Sequence, residues 1–334
     1  MRGTARRSVA VGLWAVLAIG CGGGSEPAAP AGRKLTIAVI PKGTTHEFWK
    51  SIHAGAQKAA GELSRDGRAV EILWKGPLRE DDREQQVQVV ESFTSQGVDG
   101  IVLAPLDASA LVRPVEEARR LDIPTVIFDS GLKSEDIVSY VATDNFKGGE
   151  LAAERLGSLM GGKGKALLLR YQEGSASTDE RQAGFETKLA SAHPGVQLVS
   201  SDQYSGPTRD TAKRASENLL NRFGTQVQGI FTPNESSSMG MLLALQDAGL
   251  AGKLSFVGFD ASPVFVEAMR KGQMHGTVLQ NPFNMGYLAV KTMVEHLEGK
   301  QVPKVVDTGV ALVTPDNLDD PRSQELLNPP QAAH

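Results

Sequence analysis

Short apolar runs alternate with longer stretches of helical periodicity from Leu35 onwards. This alternation is typical of βαβ units that build a parallel sheet. Strands are predicted over 35–40, 70–74, 100–104 and 125–128, and in a second series over 166–169, 196–199, 229–232 and 255–258. Helices are predicted over 48–63, 82–95, 109–121, 147–160, 180–192, 211–222, 237–248, 263–271 and 282–297. Because the series restarts once, the pattern predicts an α/β protein with two doubly wound parallel-sheet lobes.

Planar polar side chains follow several of the apolar runs directly. They are Asp129, Asn234, Asp260 and Gln280. The carboxyl ends of parallel strands line the crevice where open α/β sheets bind their ligands, so these groups are expected to converge on one small molecule. Carboxylates and amides suit sugar hydroxyls because each offers two hydrogen-bonding atoms in one plane. For any single Asp or Asn, a helix N-cap remains the alternative interpretation.

The composition bounds the class of protein. The 334 residues suit two domains rather than one. A content of 40% hydrophobic, 22% charged and 5% aromatic residues is that of a soluble globular chain. The formal net charge of -4 argues against a nucleic-acid partner, since phosphate binding needs an excess of clustered Lys and Arg.

The amino terminus has the pattern of an export signal. Three arginines precede the apolar stretch 9–20, which is too short for a comfortable membrane span, and Cys21 follows it. The run 17–21 resembles a bacterial lipobox, which predicts cleavage of 1–21 with lipid attachment at Cys21. An ordinary secretory peptide with a free cysteine is the alternative. Residues 22–33 are mostly Gly, Pro and Ala and predict a flexible tether.

Other kinds of chemistry find little support in the sequence. The six histidines show no metal-binding spacing, and Cys21 is the only cysteine. The glycine-rich stretch 157–163 follows a helix instead of a strand and is followed by Gly164, where a phosphate loop needs Ser or Thr. A glycosidase pair of Asp129 and Asp260 is a minor alternative. We expect no catalytic residue, no metal and no cofactor.

Several strings together resemble the ribose-type periplasmic sugar-binding proteins. They are 48–57, Asp129, 142–145, 181–185, Asn234 and 257–260, and the resemblance covers about 35–313. It implies two lobes joined by three crossings, with ligand bound between them and lobe closure presenting the protein to a membrane permease. The implied boundaries are 34–143 plus 281–308 for the amino-terminal lobe, 144–280 plus 309–316 for the carboxyl-terminal lobe, and 317–334 for a tail.

The same resemblance implies roles for individual residues. Phe48 and Trp49 would stack on the apolar faces of a sugar ring; a core-facing aromatic pair is the alternative. The implied hydroxyl-binding set is Asp129, Arg181, Asn234, Asp260 and Gln280, with Asn145 contributing near the first crossing. For Arg181 the alternative is a surface position on a helix.

The sequence departs from the ribose-binding pattern at three places. Ser130 stands where those proteins have Arg, and His46 with Glu47 replaces the usual Asn-Pro. Lys42 lies seven residues before Trp49, as a lysine does in the allose-binding relatives, and is expected to supply the missing cation unless it is an exposed loop residue. We therefore include Lys42 and His46 in the predicted site. Tyr204 is the nearest match to the aromatic that some members supply from the second lobe.

The resulting expectation is a monomeric, extracytoplasmic solute-binding protein, held at a membrane of the cell envelope by lipid on Cys21. It would capture a monosaccharide resembling ribose, allose or xylose and deliver it to the permease subunits of an ABC importer. One alternative is a sensory subunit that presents its ligand to a receptor or kinase. Another is a sugar-like ligand such as a furanose signal molecule.

Overall fold

The computed structural model describes Met1 and residues 33–331. Its strands are β1 (Leu35–Ile40), β2 (Val70–Trp74), β3 (Gly100–Leu103), β4 (Thr125–Phe128), β5 (Ser139–Ala142), β6 (Lys163–Arg170), β7 (Gly195–Tyr204), β8 (Gly229–Phe231), β9 (Ser255–Phe259), β10 (Gly276–Leu279), β11 (Val305–Asp307) and β12 (Ala311–Val313). Its helices are α1 (Glu47–Arg65), α2 (Arg83–Gln96), α3 (Val112–Arg120), α4 (Asn145–Leu159), α5 (Ala176–Ala192), α6 (Arg209–Phe223), α7 (Glu235–Asp247), α8 (Pro263–Arg270), α9 (Pro282–Leu297) and α10 (Pro321–Leu327).

The strands form two six-stranded sheets with the same internal order. The first sheet runs β11-β5-β4-β3-β1-β2 and the second runs β12-β10-β9-β8-β6-β7. Neighbouring strands are parallel throughout, except that β12 is antiparallel to β10. Strand β4 in the first lobe therefore occupies the same position as β9 in the second. The predicted fold class, two parallel-sheet α/β lobes, is confirmed.

Both faces of each sheet are covered by helices. In β1, Ile37 and Val39 join the hydrophobic cluster that includes Met293 of α9, whereas Ala38 and Ile40 join the opposite cluster. The second sheet has two clusters arranged in the same way, one with α4 and α5 and one with α6 to α8. Burial on both faces explains why the strands read as near-continuous apolar runs instead of alternating ones.

The chain changes lobe three times. It leaves the first sheet after β5, returns after β10 so that α9 packs on the first sheet, and leaves again between β11 and β12. The exact lobe boundaries stay a prediction. The predicted tail contains a helix, α10, whose Leu327 is buried with Leu318 in the core of the second lobe.

Helices α4 and α5 approach each other closely. A Cβ atom built on Gly149 of α4 would lie 1.9 Å from the carbonyl oxygen of Arg181 in α5. A Cβ atom on Gly184 of α5 would lie 2.0 Å from the carbonyl oxygen of Phe146. The two glycines therefore let the backbones meet, and this places Arg181 beside the beginning of α4.

The amino-terminal predictions fall on residues 2–32. The export signal, the lipid attachment at Cys21 and most of the tether thus lie outside the described residues. None of the helices in the described part of the chain has the length and apolar character needed to span a bilayer.

Candidate ligand-binding site

Two aspartates occupy equivalent positions in the two lobes. Asp129 directly follows β4 and Asp260 directly follows β9. Both have a positive backbone φ, 62° for Asp129 and 70° for Asp260, and they are only 4% and 8% exposed. A positive φ is uncommon in residues other than glycine, and Asp and Asn tolerate it best. Such strained residues concentrate at functional sites.

Lys42 connects the two lobes. Its Nζ lies 3.1 Å from Oδ2 of Asp129, and both side chains are buried. The same Nζ donates to Oγ of Ser177 at 3.2 Å and to Oγ of Ser175 at 3.5 Å in the second lobe. Next to Asp129, Oγ of Ser130 accepts a hydrogen bond from the Ser177 backbone N–H at 3.1 Å. Lys42 is thus a buried cation in the cleft, and the lobes are in the closed arrangement.

Arg181 projects from α5 into the cleft and is 2% exposed, so the surface-helix alternative is wrong. Its Nε donates to Oδ1 of Asn145 at 2.9 Å, and its Nη1 donates to the carbonyl oxygen of Pro233 at 3.0 Å. The guanidinium carbon lies 4.0 Å from the centre of the Phe259 ring. The buried Nη2 has no hydrogen-bond partner among the described residues. Asn145 holds Arg181 from behind and does not itself line the cavity.

The carboxylate of Asp260 is held by two donors. Its Oδ1 accepts from Nε2 of Gln280 at 2.7 Å, and its Oδ2 accepts from the Glu235 backbone N–H at 3.0 Å. The buried Oε1 of Gln280 has no partner within residues 33–331. Burial raises the pKa of Asp260, and the nearby Arg181 guanidinium partly opposes this. Since each carboxylate oxygen has two lone pairs, Asp260 can accept further hydrogen bonds.

Asn234 is the N-cap of α7. Its Oδ1 accepts from the Ser237 backbone N–H at 3.3 Å, and its Nδ2 donates to Oγ of Ser236 at 3.1 Å. The helix-cap interpretation thus holds for Asn234. Its side chain nevertheless lines the cavity in the cleft.

Two aromatic rings begin α1 and line the same cavity. Phe48 and Trp49 meet edge to face, with ring centres 5.0 Å apart. Trp49 is 3% exposed and belongs to the first-lobe core, while its indole N–H donates to Oε1 of Glu80 at 2.7 Å. Phe48 is partly buried. Trp49 therefore has a structural role as well as a place in the cavity wall.

Six residues of the cavity wall were missed by sequence reasoning: Glu80, Tyr171, Ser175, Ser177, Thr178 and Glu235. The fully buried Tyr171 follows β6 directly, and its hydroxyl donates to Oε2 of Glu80 at 2.7 Å. Burial raises the pKa of Tyr171, and the neighbouring Glu80 carboxylate adds to this effect. Tyr204 is 41% exposed and lies outside the cavity wall, so Tyr171 is the aromatic that the second lobe supplies. Tyr171 could have been predicted from the sequence, because it directly follows a strand as the predicted aspartates do.

The structure brings together nine of the ten predicted site residues around one cavity: Lys42, His46, Phe48, Trp49, Asp129, Arg181, Asn234, Asp260 and Gln280. The imidazole Nδ1 of His46 lies 3.6 Å from Oε2 of Glu235. The free volume between these side chains is about 40 Å³, close to the space of one water molecule. A sugar ring is larger than this space, so binding one requires the walls of the cavity to move apart. Among residues 33–331 no cluster of three or more metal-ligating side chains is found.

The sequence profile of the periplasmic binding protein domain matches residues 37–301. The chain belongs to this family. The D-allose-binding periplasmic protein of Escherichia coli is 30% identical over 275 residues, which cover 80% of this chain and 86% of that protein. The ribose import binding protein of Bacillus subtilis is 28% identical over 282 residues, covering 84% and 88%. An ABC-transporter solute-binding protein from Agrobacterium vitis, solved with bound D-fucose, is 35% identical, with a TM-score of 0.81 and coverage of 88% and 100%. Members of the family carry solutes and are not enzymes.

Proposed function

We propose that this protein captures a monosaccharide between its lobes outside the cytoplasm and delivers it to an ABC importer. The observation that carries the proposal is the pair Asp129 and Asp260, which brings one buried carboxylate from each lobe to the same cavity. Carboxylates suit sugar hydroxyls because they accept several hydrogen bonds in one plane. The relatives described above bind ribose, allose and fucose, as their names state.

Two unpartnered groups point to where hydroxyls bind. The buried Nη2 of Arg181 is a donor without an acceptor, and the buried Oε1 of Gln280 is an acceptor without a donor, among the residues described. Leaving such groups unsatisfied costs about 1–3 kcal/mol each. A sugar hydroxyl both donates and accepts, so a ring placed between Arg181 and Gln280 removes both penalties.

The remaining predicted residues take supporting roles in this proposal. Phe48 and Trp49 stack on a face of the ring. Lys42 supplies positive charge beside Asp129, at the part of the site where Ser130 offers only a hydroxyl. The other members of the proposed site are His46 and Asn234 in the cavity wall and Asn145 behind Arg181.

Binding requires an exchange of hydrogen bonds between the lobes. In the closed arrangement Lys42 donates directly to Ser177, and Ser130 accepts from the same residue. Entry of a sugar separates these groups, and the hydroxyls then replace them as partners. Closure around the sugar excludes water and strengthens its charged hydrogen bonds. The closed pair of lobes is the form that we propose the permease recognises.

Anchoring and cellular location belong to the same proposal. Cleavage before Cys21 and lipid attachment there would hold the protein at a membrane surface outside the cytoplasm, with the tether 22–33 between lipid and lobes. We further propose that it works as a monomer, with lobe boundaries at 143, 280 and 308. Mass spectrometry of the mature amino terminus tests the anchor.

Thermal unfolding tests the sugar proposal. The body 34–334 is melted with pentoses, hexoses, deoxy sugars and polyols, each at saturating concentration. A ligand that binds the folded state alone stabilises it by about 2.7 kcal/mol at a hundredfold excess over its Kd. We expect a clear rise in melting temperature with one or a few sugars. The absence of a shift with every sugar would refute the proposed substrate class.

A further inference from the structure

A second, larger cavity adjoins the proposed sugar site. Its free volume is about 330 Å³, against about 40 Å³ between the polar side chains. This volume falls within the usual range of small-molecule pockets. Five residues line both cavities: His46, Phe48, Glu235, Asp260 and Gln280. A ligand held by Asp260 and Gln280 thus lies at the entrance of the larger cavity.

The far walls of the larger cavity are mostly apolar. They are formed by Pro263 at the beginning of α8, Pro282 at the beginning of α9, and Leu326, Leu327 and Pro329 from the carboxyl-terminal segment. Walls of this kind stabilise a complex by removing apolar ligand surface from water, and they offer few hydrogen-bond partners to hydroxyl groups. The same segment also contributes Asn328 and Gln331 to the lining, while Asp260 and Gln280 lie on the side that the two cavities share.

The charged residues of the larger cavity disfavour anions. Its acidic side chains are Glu47, Glu235 and Asp260. Its one arginine, Arg209, donates from Nη2 to Oε1 of Glu235 at 2.6 Å. Glu47 is in turn paired with Lys50 at 3.0 Å. The lining still carries three carboxylates against one guanidinium, so no basic side chain of the wall is left to pair with a sugar phosphate or a uronic acid, and the walls favour an uncharged group.

The carboxyl-terminal wall is fixed to the second lobe. Leu318 and Leu327 are buried in its core, and Nε2 of Gln324 donates to the Leu318 carbonyl oxygen at 2.8 Å. Arg270 of α8 pairs with Asp319 at 2.9 Å. Beyond α10, the residues 328–330 line a further cavity together with first-lobe residues of α1 and α9. The segment therefore extends along the cleft beside the hinge.

We propose that this protein binds sugars carrying an uncharged apolar substituent, as in alkyl or aryl glycosides. The sugar ring occupies the polar cavity, and the substituent occupies the apolar cavity walled by Leu326, Leu327 and Pro329. This inference rests on the proposed sugar site and adds the chemical class of ligand. It gives the carboxyl-terminal segment a role in recognition.

Calorimetric titration of the mature protein tests the inference. The probes are free D-ribose, D-allose and D-fucose, and the methyl and 4-nitrophenyl glycosides of each in both anomeric forms. We expect at least one 4-nitrophenyl glycoside to bind ten times more tightly than its methyl counterpart. Leu326→Ala removes side-chain surface from the wall and is expected to reduce this ratio at least threefold. Leu318→Ala is the matched control, because Leu318 is buried in the same lobe but does not line the cavity.

The outcomes separate this inference from the proposed function. If free sugars bind and the 4-nitrophenyl glycosides bind no better than the methyl glycosides, the apolar subsite is refuted while the sugar site stands. If Leu318→Ala lowers the ratio as much as Leu326→Ala, the effect arises from general destabilisation and the subsite is again refuted. If no sugar or glycoside binds, the proposed function itself is refuted and the inference fails with it.

Discussion

Replacement of Asp260 by asparagine gives the sharpest test of the sugar site. Asparagine tolerates the positive φ of 70° at this position as aspartate does, so the backbone is preserved. Its carbonyl oxygen can keep the hydrogen bond from the Glu235 N–H, and its NH₂ can donate to Gln280 if that amide turns over. The charge and at least one acceptor oxygen are then lost to the ligand.

The expected size follows from the hydrogen bond that is removed. A hydrogen bond to a charged group contributes about 1.5–3 kcal/mol, which corresponds to a loss in affinity of roughly 10- to 150-fold. The assay is calorimetric titration with the sugar that gives the largest thermal shift. Asp122→Asn is the control, because Asp122 also has a positive φ, 57°, and is exposed outside the cleft. A change below twofold for Asp260→Asn, with an unchanged melting temperature, would exclude Asp260 from the site.

Four further predictions concern Asp260, Lys42 and Gly149. Burial raises the pKa of Asp260, so acidification should protonate it, and weaken sugar binding, at a higher pH than for an exposed aspartate. Calorimetric titrations across pH 4–7 should show this fall in affinity in the wild type and not in Asp260→Asn. For the same reason, the contribution of Asp260 to the free energy of unfolding is largest below the pKa of the unfolded state and is lost as the pH rises through the pKa of the folded state. Thermal melts between these two pKa values should therefore show the stability of the wild type falling with pH relative to that of Asp260→Asn. Lys42→Met leaves the Asp129 carboxylate without its cation, so we expect a lower melting temperature. Adding Asp129→Asn should partly restore the melting temperature in the double variant. If the stability changes of the two single variants simply add in the double variant, the two side chains are not coupled. Gly149→Ala should push α4 away from α5 and so lower both the melting temperature and the sugar affinity. The control is Gly61→Ala, which has open space around the added Cβ and should be neutral or stabilising by about 1 kcal/mol. Equal effects of the two substitutions would refute the close-packing argument.

The elements that sequence predicted best carry their own boundary signals. Helix α9 begins at Pro282 after an Asn281 cap, and α8 begins at Pro263 after a Ser262 cap, so both starts were predicted correctly. Strand β5 was missed although 140–142 is a short apolar run; pairing with β4 and β11 sets its conformation, and those partners are distant in sequence or separated by a loop. Helix α10 was missed for a similar reason: packing on the second lobe defines it.

The site was predictable where a side chain follows a strand. Asp129 and Asp260 lie there, and the topology of a parallel sheet alone brings such residues to one edge. Glu80 lies in the connection between β2 and α2, so only the folded chain places its carboxylate beside Tyr171. Asn145 shows the opposite limit. It was expected to contact the ligand, but its side chain accepts a hydrogen bond from Arg181 outside the cavity wall, and that contact depends on the approach of two helices.

The shared topology of the two sheets explains why the cleft has two similar aspartates with different surroundings. Asp129 and Asp260 follow equivalent strands with nearly the same φ, so each lobe brings one carboxylate to the cleft. The first-lobe carboxylate is paired with Lys42, which also reaches the serines of the second lobe. The second-lobe carboxylate accepts from an amide side chain and a backbone N–H. Closure therefore depends on the Asp129 side, whereas Asp260 keeps lone pairs free for the ligand, so substitutions at the two positions should affect lobe closure and sugar selectivity differently.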